Sequence, residues 1–127
     1  MQRTQIKLEK FKKALTSLEA IYLKPIQEDR SNIDATIQRF EFTFELAWKF
    51  LQDYFLEQGI QLNYPKEVLK EAFASGIVDE ESLWLGMLAD RNMTSHTYNE
   101  KLADEIYERI KLYVPELIKL IQIKKFN

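Results

Sequence analysis

The sequence predicts an all-α fold, a bundle of four or five helices in one domain spanning residues 1–127. Three observations carry that prediction. Apolar residues recur at steps of three and four over most of the chain, the pattern of amphipathic helices. Only three glycines and three prolines occur, so the chain has few places to turn and favours a handful of long elements. No segment has the apolar–polar alternation of a half-buried strand, and no repeat or low-complexity tract stands out. A chain of this length buries roughly two-thirds of its unfolded surface and holds a core without covalent staples.

The first helix is expected from about Thr4 to Leu23, with Leu8, Phe11, Leu15, Leu18 and Tyr22 on one face. Pro25 stops it, because the residue before a proline resists helical geometry. Ser31 has the chemistry of an N-cap, and Asp34 suits the positive end of the helix that follows. That second helix should reach Gln58, roughly 40 Å, with Gly59 free to close it in the left-handed conformation. Its main stripe is Ile33, Ile37, Phe40, Phe44, Ala47, Trp48, Leu51 and Phe55, which reads as core. The aromatic cluster of Phe40, Phe44, Trp48 and Tyr54 could stack bases, but at helical spacing it is assigned to the core.

A second row, Phe42, Leu46 and Phe50, lies roughly opposite the first. A helix apolar on two faces is either central in its own bundle or pressed against another chain. A bundle this small has little room for a surrounded helix, so Phe42, Leu46 and Phe50 are assigned to a homodimer interface, with internal packing as the other reading. A short third helix is expected to start near Pro65, a residue suited to a first turn, and to end at Gly76. The fourth should begin with Asp79 as cap and bury Leu83, Trp84, Met87 and Leu88. The last should begin near Thr97, with Glu100 completing a capping box, and bury Leu102, Ile106, Ile110, Tyr113, Leu117 and Leu120. Pro115 lies inside this pattern and is expected to kink or divide the helix.

Composition narrows the chemistry. Cysteine is absent, so disulfides and thiolate metal sites are excluded, and with His96 as the one histidine no metal site is expected. Nothing in the sequence calls for a cofactor. The charged start of the chain does not read as a signal peptide, and no apolar run is long enough to span a membrane. A cytoplasmic location is expected. The net charge of −2 argues against a general nucleic-acid binder. Basic residues nevertheless gather at both ends, Arg3, Lys7, Lys10, Lys12 and Lys13 at one and Lys119, Lys124 and Lys125 at the other. These are either solvated helix ends, the commoner case, or a phosphate-attracting rim.

One segment breaks the pattern. Arg91 follows Leu88, Met87 and Trp84 by three, four and seven residues, which puts a guanidinium in an apolar stripe. It must snorkel, pair with a carboxylate such as Glu41 or Glu45, or receive an anion. The run Arg91-Asn92-Met93-Thr94-Ser95-His96-Thr97-Tyr98 then sets Arg91 and His96 five apart, about 140° around a continuous helix. They converge only if the helix ends between them or if two chains meet there. Thr94, Ser95 and Thr97 favour a break, because hydroxyl side chains compete for backbone hydrogen bonds. A lone histidine at such a junction is more often a cap than a catalyst.

The run RNMTSHTY, followed by Asn99-Glu100, resembles the arginine–x4–histidine–x–tyrosine motif of HEPN proteins. The stretch FEFTFELAWKFLQDY is similar to the second helix of one HEPN branch, the nucleotidyltransferase substrate-binding proteins, related to the HepT toxins. The likeness runs from about residue 5 to about residue 122. It implies an up-and-down bundle that dimerises, with the motif of each subunit lining a cleft at the interface, and a minimal nucleotidyltransferase as partner. It further implies metal-independent RNA cleavage, with Arg91 binding the scissile phosphate and steadying its transition-state charge. In that scheme His96 moves a proton to or from a ribose oxygen and Asn92 orients the phosphate or the other chain. Tyr98 matches the tyrosine that HepT-type toxins present for adenylylation, where a bulky anionic nucleotide would block an RNA cleft. Two functions fit the resemblance, a HepT-like endoribonuclease controlled by its nucleotidyltransferase and a non-catalytic subunit that presents RNA, a nucleotide or another substrate to that enzyme. A plain interaction bundle, with Arg91 and His96 structural, is the third.

Overall fold

A computed structural model describes residues 3–126, and helix α1 (Arg3–Glu19) opens it with Thr4, Leu8, Phe11, Leu15 and Leu18 buried on one face. The helix ends earlier than Leu23, because the chain tightens into a turn in which the Ile21 and Tyr22 amides both donate to the Leu18 carbonyl. That turn buries Ile21 and presents the Tyr22 carbonyl to the Tyr107 hydroxyl at 3.4 Å.

Helix α2 (Ser31–Glu57) follows, and every member of its expected main stripe is buried. Its N-cap is Arg30 and not Ser31. Arg30 takes φ 64°, unusual for a residue with a Cβ. The capping chemistry is supplied one residue earlier, where Asp29 Oδ1 accepts from the Ser31 amide at 3.0 Å. The Arg30 side chain reaches Asp104 at 2.6 Å, which ties the bend to the last helix. Gly59 closes α2 at φ 83°, as its position predicts.

Helix α3 (Pro65–Ala74) starts with proline in its first turn, and the Glu67 carboxylate accepts from the Tyr64 amide at 3.0 Å. Helix α4 (Glu81–Asn92) has Glu80 and not Asp79 at its N-cap position, without a side-chain cap bond, and Asp79 faces Lys119 at 3.8 Å. A 3₁₀ turn, Thr94–His96, separates α4 from α5 (Glu100–Ile121). The α5 cap is Asn99, whose Oδ1 accepts from the Leu102 amide at 3.1 Å, so Glu100 lies in the first turn and Thr97 outside the helix. Pro115 does not divide α5. Its exposed ring sits between buried Tyr113, Val114, Glu116 and Leu117, and packing on both sides outweighs the lost backbone hydrogen bond. A second 3₁₀ turn, Lys124–Phe126, seals the end.

Side-chain pairs fix the directions. Arg39 meets Ser17 and Asp53 meets Lys7, so α1 and α2 are antiparallel. Phe40 stacks on Tyr113 and Phe50 meets Phe126 edge-on, so α2 and α5 run the same way. Asp90 meets Arg109 and Asp79 meets Lys119, so α4 opposes α5. The result is an up-and-down bundle of α1, α2, α4 and α5, with short α3 packed on α2 and α4.

Helix α2 touches each of the other four helices. That resolves its second apolar row in a way the sequence does not predict. Phe50 is core of its own chain, 1% exposed and 4.9 Å from the Phe126 ring, which corrects its assignment to a dimer interface. Leu46 is half-buried, and Phe42 remains 54% exposed. Among the described residues no helix is long and apolar enough to cross a membrane.

Candidate functional site

The site begins with the way α4 ends. Trp84, Met87 and Asp90 are its buried residues, so the final turn is held against the bundle by a carboxylate as well as by apolar side chains. Asp90 accepts from Arg109 Nε at 2.7 Å and Nη2 at 2.8 Å, and from the Tyr113 hydroxyl at 2.5 Å. Burial, and then the bond to Asp90, push the Tyr113 hydroxyl well above the usual tyrosine range. The hydrogen bond to Asp90 likewise raises the Arg109 guanidinium. This fork-on-carboxylate pair pins α4 to α5 immediately before the motif.

The sequence reading placed Tyr113 in the core but missed Asp90, Arg109 and the bond that Tyr113 makes. A signal was present, since Asp90 lies three residues after Met87 and six after Trp84, on the buried face, where a carboxylate needs partners.

Met93 ends α4, and the hydroxyl-bearing residues form the expected break. Thr94 Oγ1 lies 2.8 Å from the Arg91 carbonyl and also against the Glu41 carboxylate. Thr97 Oγ1 donates to the Thr94 carbonyl at 2.9 Å. The helix axis therefore stops between Arg91 and His96, the condition under which the two can approach.

Arg91 forms an ion pair with Glu45 and donates from Nη1 to Asn92 Oδ1 at 3.1 Å. The pair is not sealed, because the side chains are 33% and 22% exposed. Arg91, Asn92, Glu41, Glu45, Phe42 and Thr94 line an open cleft of about 470 Å³. His96 does not line it. It ends the 3₁₀ turn, exposed, with its ring 6.3 Å from that of Tyr98 and tilted by 66°. Tyr98 is 84% exposed. One chain thus gathers Arg91 and Asn92 in the cleft and His96 and Tyr98 on the turn beside it. Phe40, Phe44 and Trp48 are buried, so they offer no stacking platform, and Tyr54 is half-buried under Lys125.

An arginine and a histidine thus stand on either side of a helix break, in a chain whose class is the up-and-down helical bundle. Within that class, the chain belongs to the family described as nucleotidyltransferase substrate binding protein like, whose model matches residues 6–125. It is similar to a probable ribonuclease HepT of Haemophilus influenzae, 33% identical over an alignment of 89 residues that covers 66% of this chain. The match covers 61% of that relative's length. Among solved structures it resembles a Thermus thermophilus protein, at 39% identity and TM-score 0.82, over 88% of this chain and 96% of the other. It also resembles a Haemophilus influenzae protein described as having the fold of a substrate binding domain of a nucleotidyltransferase. There the identity is 26% and the TM-score 0.68, over 94% of this chain and 92% of the other.

Proposed function

We propose that the protein is a HepT-like endoribonuclease that works as a homodimer without metal or cofactor and is controlled by a minimal nucleotidyltransferase. The observation that carries this reading is the break at Met93, which leaves Arg91 in an open cleft and His96 and Tyr98 exposed on the adjoining turn. A guanidinium offers forked donors to a phosphate, and Glu45, a half-buried partner that also pairs with Lys49, is the carboxylate a phosphate would replace. Arg91 would hold the scissile phosphate and stabilise the charge that builds on it, with Asn92 steadying the guanidinium. His96 would carry the proton to or from a ribose oxygen. Since His96 lies outside the cleft of its own chain, a second chain meeting at the motif would complete the pair across the interface. Tyr98 is free for a partner enzyme to reach, and a nucleotide added there would set bulk and negative charge beside His96.

The test is cleavage of a mixed RNA pool by purified protein in EDTA, beside the folded His96→Ala variant. Cleavage lost in the variant supports the proposal. A folded, unmodified native protein that leaves all RNA intact would sink it. The alternative is a non-catalytic subunit that presents a substrate to the nucleotidyltransferase. It is favoured by the family's description and by the substrate binding domain fold of the Haemophilus relative.

A further inference from the structure

We infer that a basic cavity between α1 and the C-terminal half of α2 is a phosphate subsite that holds an RNA strand running on from Arg91. The inference takes the nature of the strand from the ribonuclease reading and adds where the strand lies.

The cavity measures about 400 Å³, and Arg3, Lys7, Lys49, Gln52, Asp53 and Asn63 are among the residues that line it. Three cations there face one carboxylate. Asp53 is buried, with its side chain 8% exposed, and lies 3.3 Å from Arg3 Nη2 and 3.4 Å from Lys7 Nζ. It fixes the direction of both cations while neutralising only part of their charge. Gln52 donates to the Leu62 carbonyl at 2.8 Å, which holds the α2–α3 connection in place as one wall. Buried Asp53 thus anchors two of the three cations, while the exposed ends of Arg3 and Lys49 stay open to an incoming anion.

Two further observations connect it to the motif. Glu41, Glu45, Lys49, Gln52 and Leu56 follow one another at steps of three and four, so one face of α2 runs from the motif cleft into the basic cavity. Glu45 joins the two, pairing with Arg91 on one side and with Lys49 at 3.6 Å on the other. Lys49 lies about 6 Å along the helix from Glu45. A strand with one phosphate at Arg91 would bring its neighbours to Lys49 and then to Arg3 and Lys7, with phosphate replacing Glu45 at both cations. Lys125 lies 5.7 Å over the ring of Tyr54, on the face of α2 next to that of Asp53.

The test is binding of a labelled single-stranded RNA of about 10 nucleotides, followed by anisotropy across a salt series. The His96→Ala background keeps the strand intact. Into it are placed Arg3→Gln and Lys49→Gln together, leaving Lys7 to pair with Asp53, and Lys49→Gln alone as the milder change. The double variant should bind about tenfold more weakly, with the slope of log K against log salt reduced by about 1.4, the value for two lost single-strand phosphate contacts. Lys49→Arg should restore the loss caused by Lys49→Gln. Equal affinity and slope with and without these charges would overturn the inference. So would ATP displacing the oligonucleotide at equal concentration, since a mononucleotide does not reach both sites. Cleavage by the native chain is scored separately. Charge-dependent binding without cleavage refutes the ribonuclease reading alone, and cleavage with charge-independent binding refutes this inference alone.

Discussion

Asp90 accepts three hydrogen bonds in a buried position, while its neighbour Arg91 faces an open cleft with a single, partly exposed carboxylate partner. The two ion pairs of adjacent residues therefore differ in what their loss costs. Asp90→Ala strands the Tyr113 hydroxyl and removes both partners of the Arg109 fork, and unfolding in urea should show a loss of about 2–3 kcal/mol. Arg91→Ala should cost less, about 1 kcal/mol, because the pair is only half-buried and Glu45 keeps Lys49 as a partner, while abolishing RNA cleavage. Equal destabilisation by the two substitutions would show that Arg91 is structural. The Tyr113 hydroxyl adds a pH dependence. Its folded pKa is raised, so its contribution is complete below the unfolded value of about 10 and is lost as pH rises beyond it. The stability difference between native protein and Tyr113→Phe should be flat to about pH 10 and then shrink; a difference that grows above pH 10 contradicts the assignment.

The elements around the site are tuned to that same network. Gly86 lies one turn before Asp90, and a Cβ there would meet the Tyr113 hydroxyl at 3.0 Å. Alanine is normally worth about 1 kcal/mol over glycine inside a helix. Here it should destabilise by about 1 kcal/mol, because the hydroxyl is held on Asp90 and cannot step aside. In the Tyr113→Phe background the nearest remaining atoms are 3.6 and 3.7 Å away, so the same Gly86→Ala change should become stabilising. A double-mutant cycle by thermal unfolding reads this change of sign directly, and additive effects would refute it. Asn99→Ala should cost about 1 kcal/mol through loss of the α5 cap, measured the same way.

Much of this level was legible in the sequence. Gly59, Pro65 and Gly76 mark their elements because their backbone preferences act locally, and the stripe of α2 follows from period alone. What escaped depended on contacts distant in sequence. Asp79 faces Lys119 and does not cap α4, Arg30 takes a left-handed conformation beside Asp104, and Phe50 turns inward because Phe126 returns to meet it. In the motif, the resemblance to HEPN proteins pointed to Arg91, Asn92, His96 and Tyr98; the position of Asp90 on the buried face signalled a need for partners, but spacing could not name Arg109 and Tyr113 as those partners. Arg109 and Tyr113 are nearly 20 residues or more away on another helix.

At the scale of the molecule, the unanswered demand is that of Phe42. Its ring is 54% exposed on the wall of the cleft that holds Arg91, with half-buried Leu46 one turn along and Met93, 40% exposed, at the helix break. Apolar side chains grouped at a polar site mark a surface that meets a partner. A second copy placed there in two-fold symmetry would cover each Phe42 and bring the motif of one chain toward that of the other, which is how His96 outside its own cleft could serve an Arg91. If the proposed dimer forms through this surface, Phe42→Asp should convert it to a monomer in sedimentation velocity, with the monomer still helical by circular dichroism. RNA cleavage should fall with the dimer fraction, recovering as protein concentration rises. Phe50→Asp is the contrasting change, since that ring is core and a charge there should unfold the chain itself. A Phe42→Asp protein that remains a dimer would move the interface elsewhere, and one that is monomeric yet fully active would mean that each chain brings its own His96 to its own Arg91.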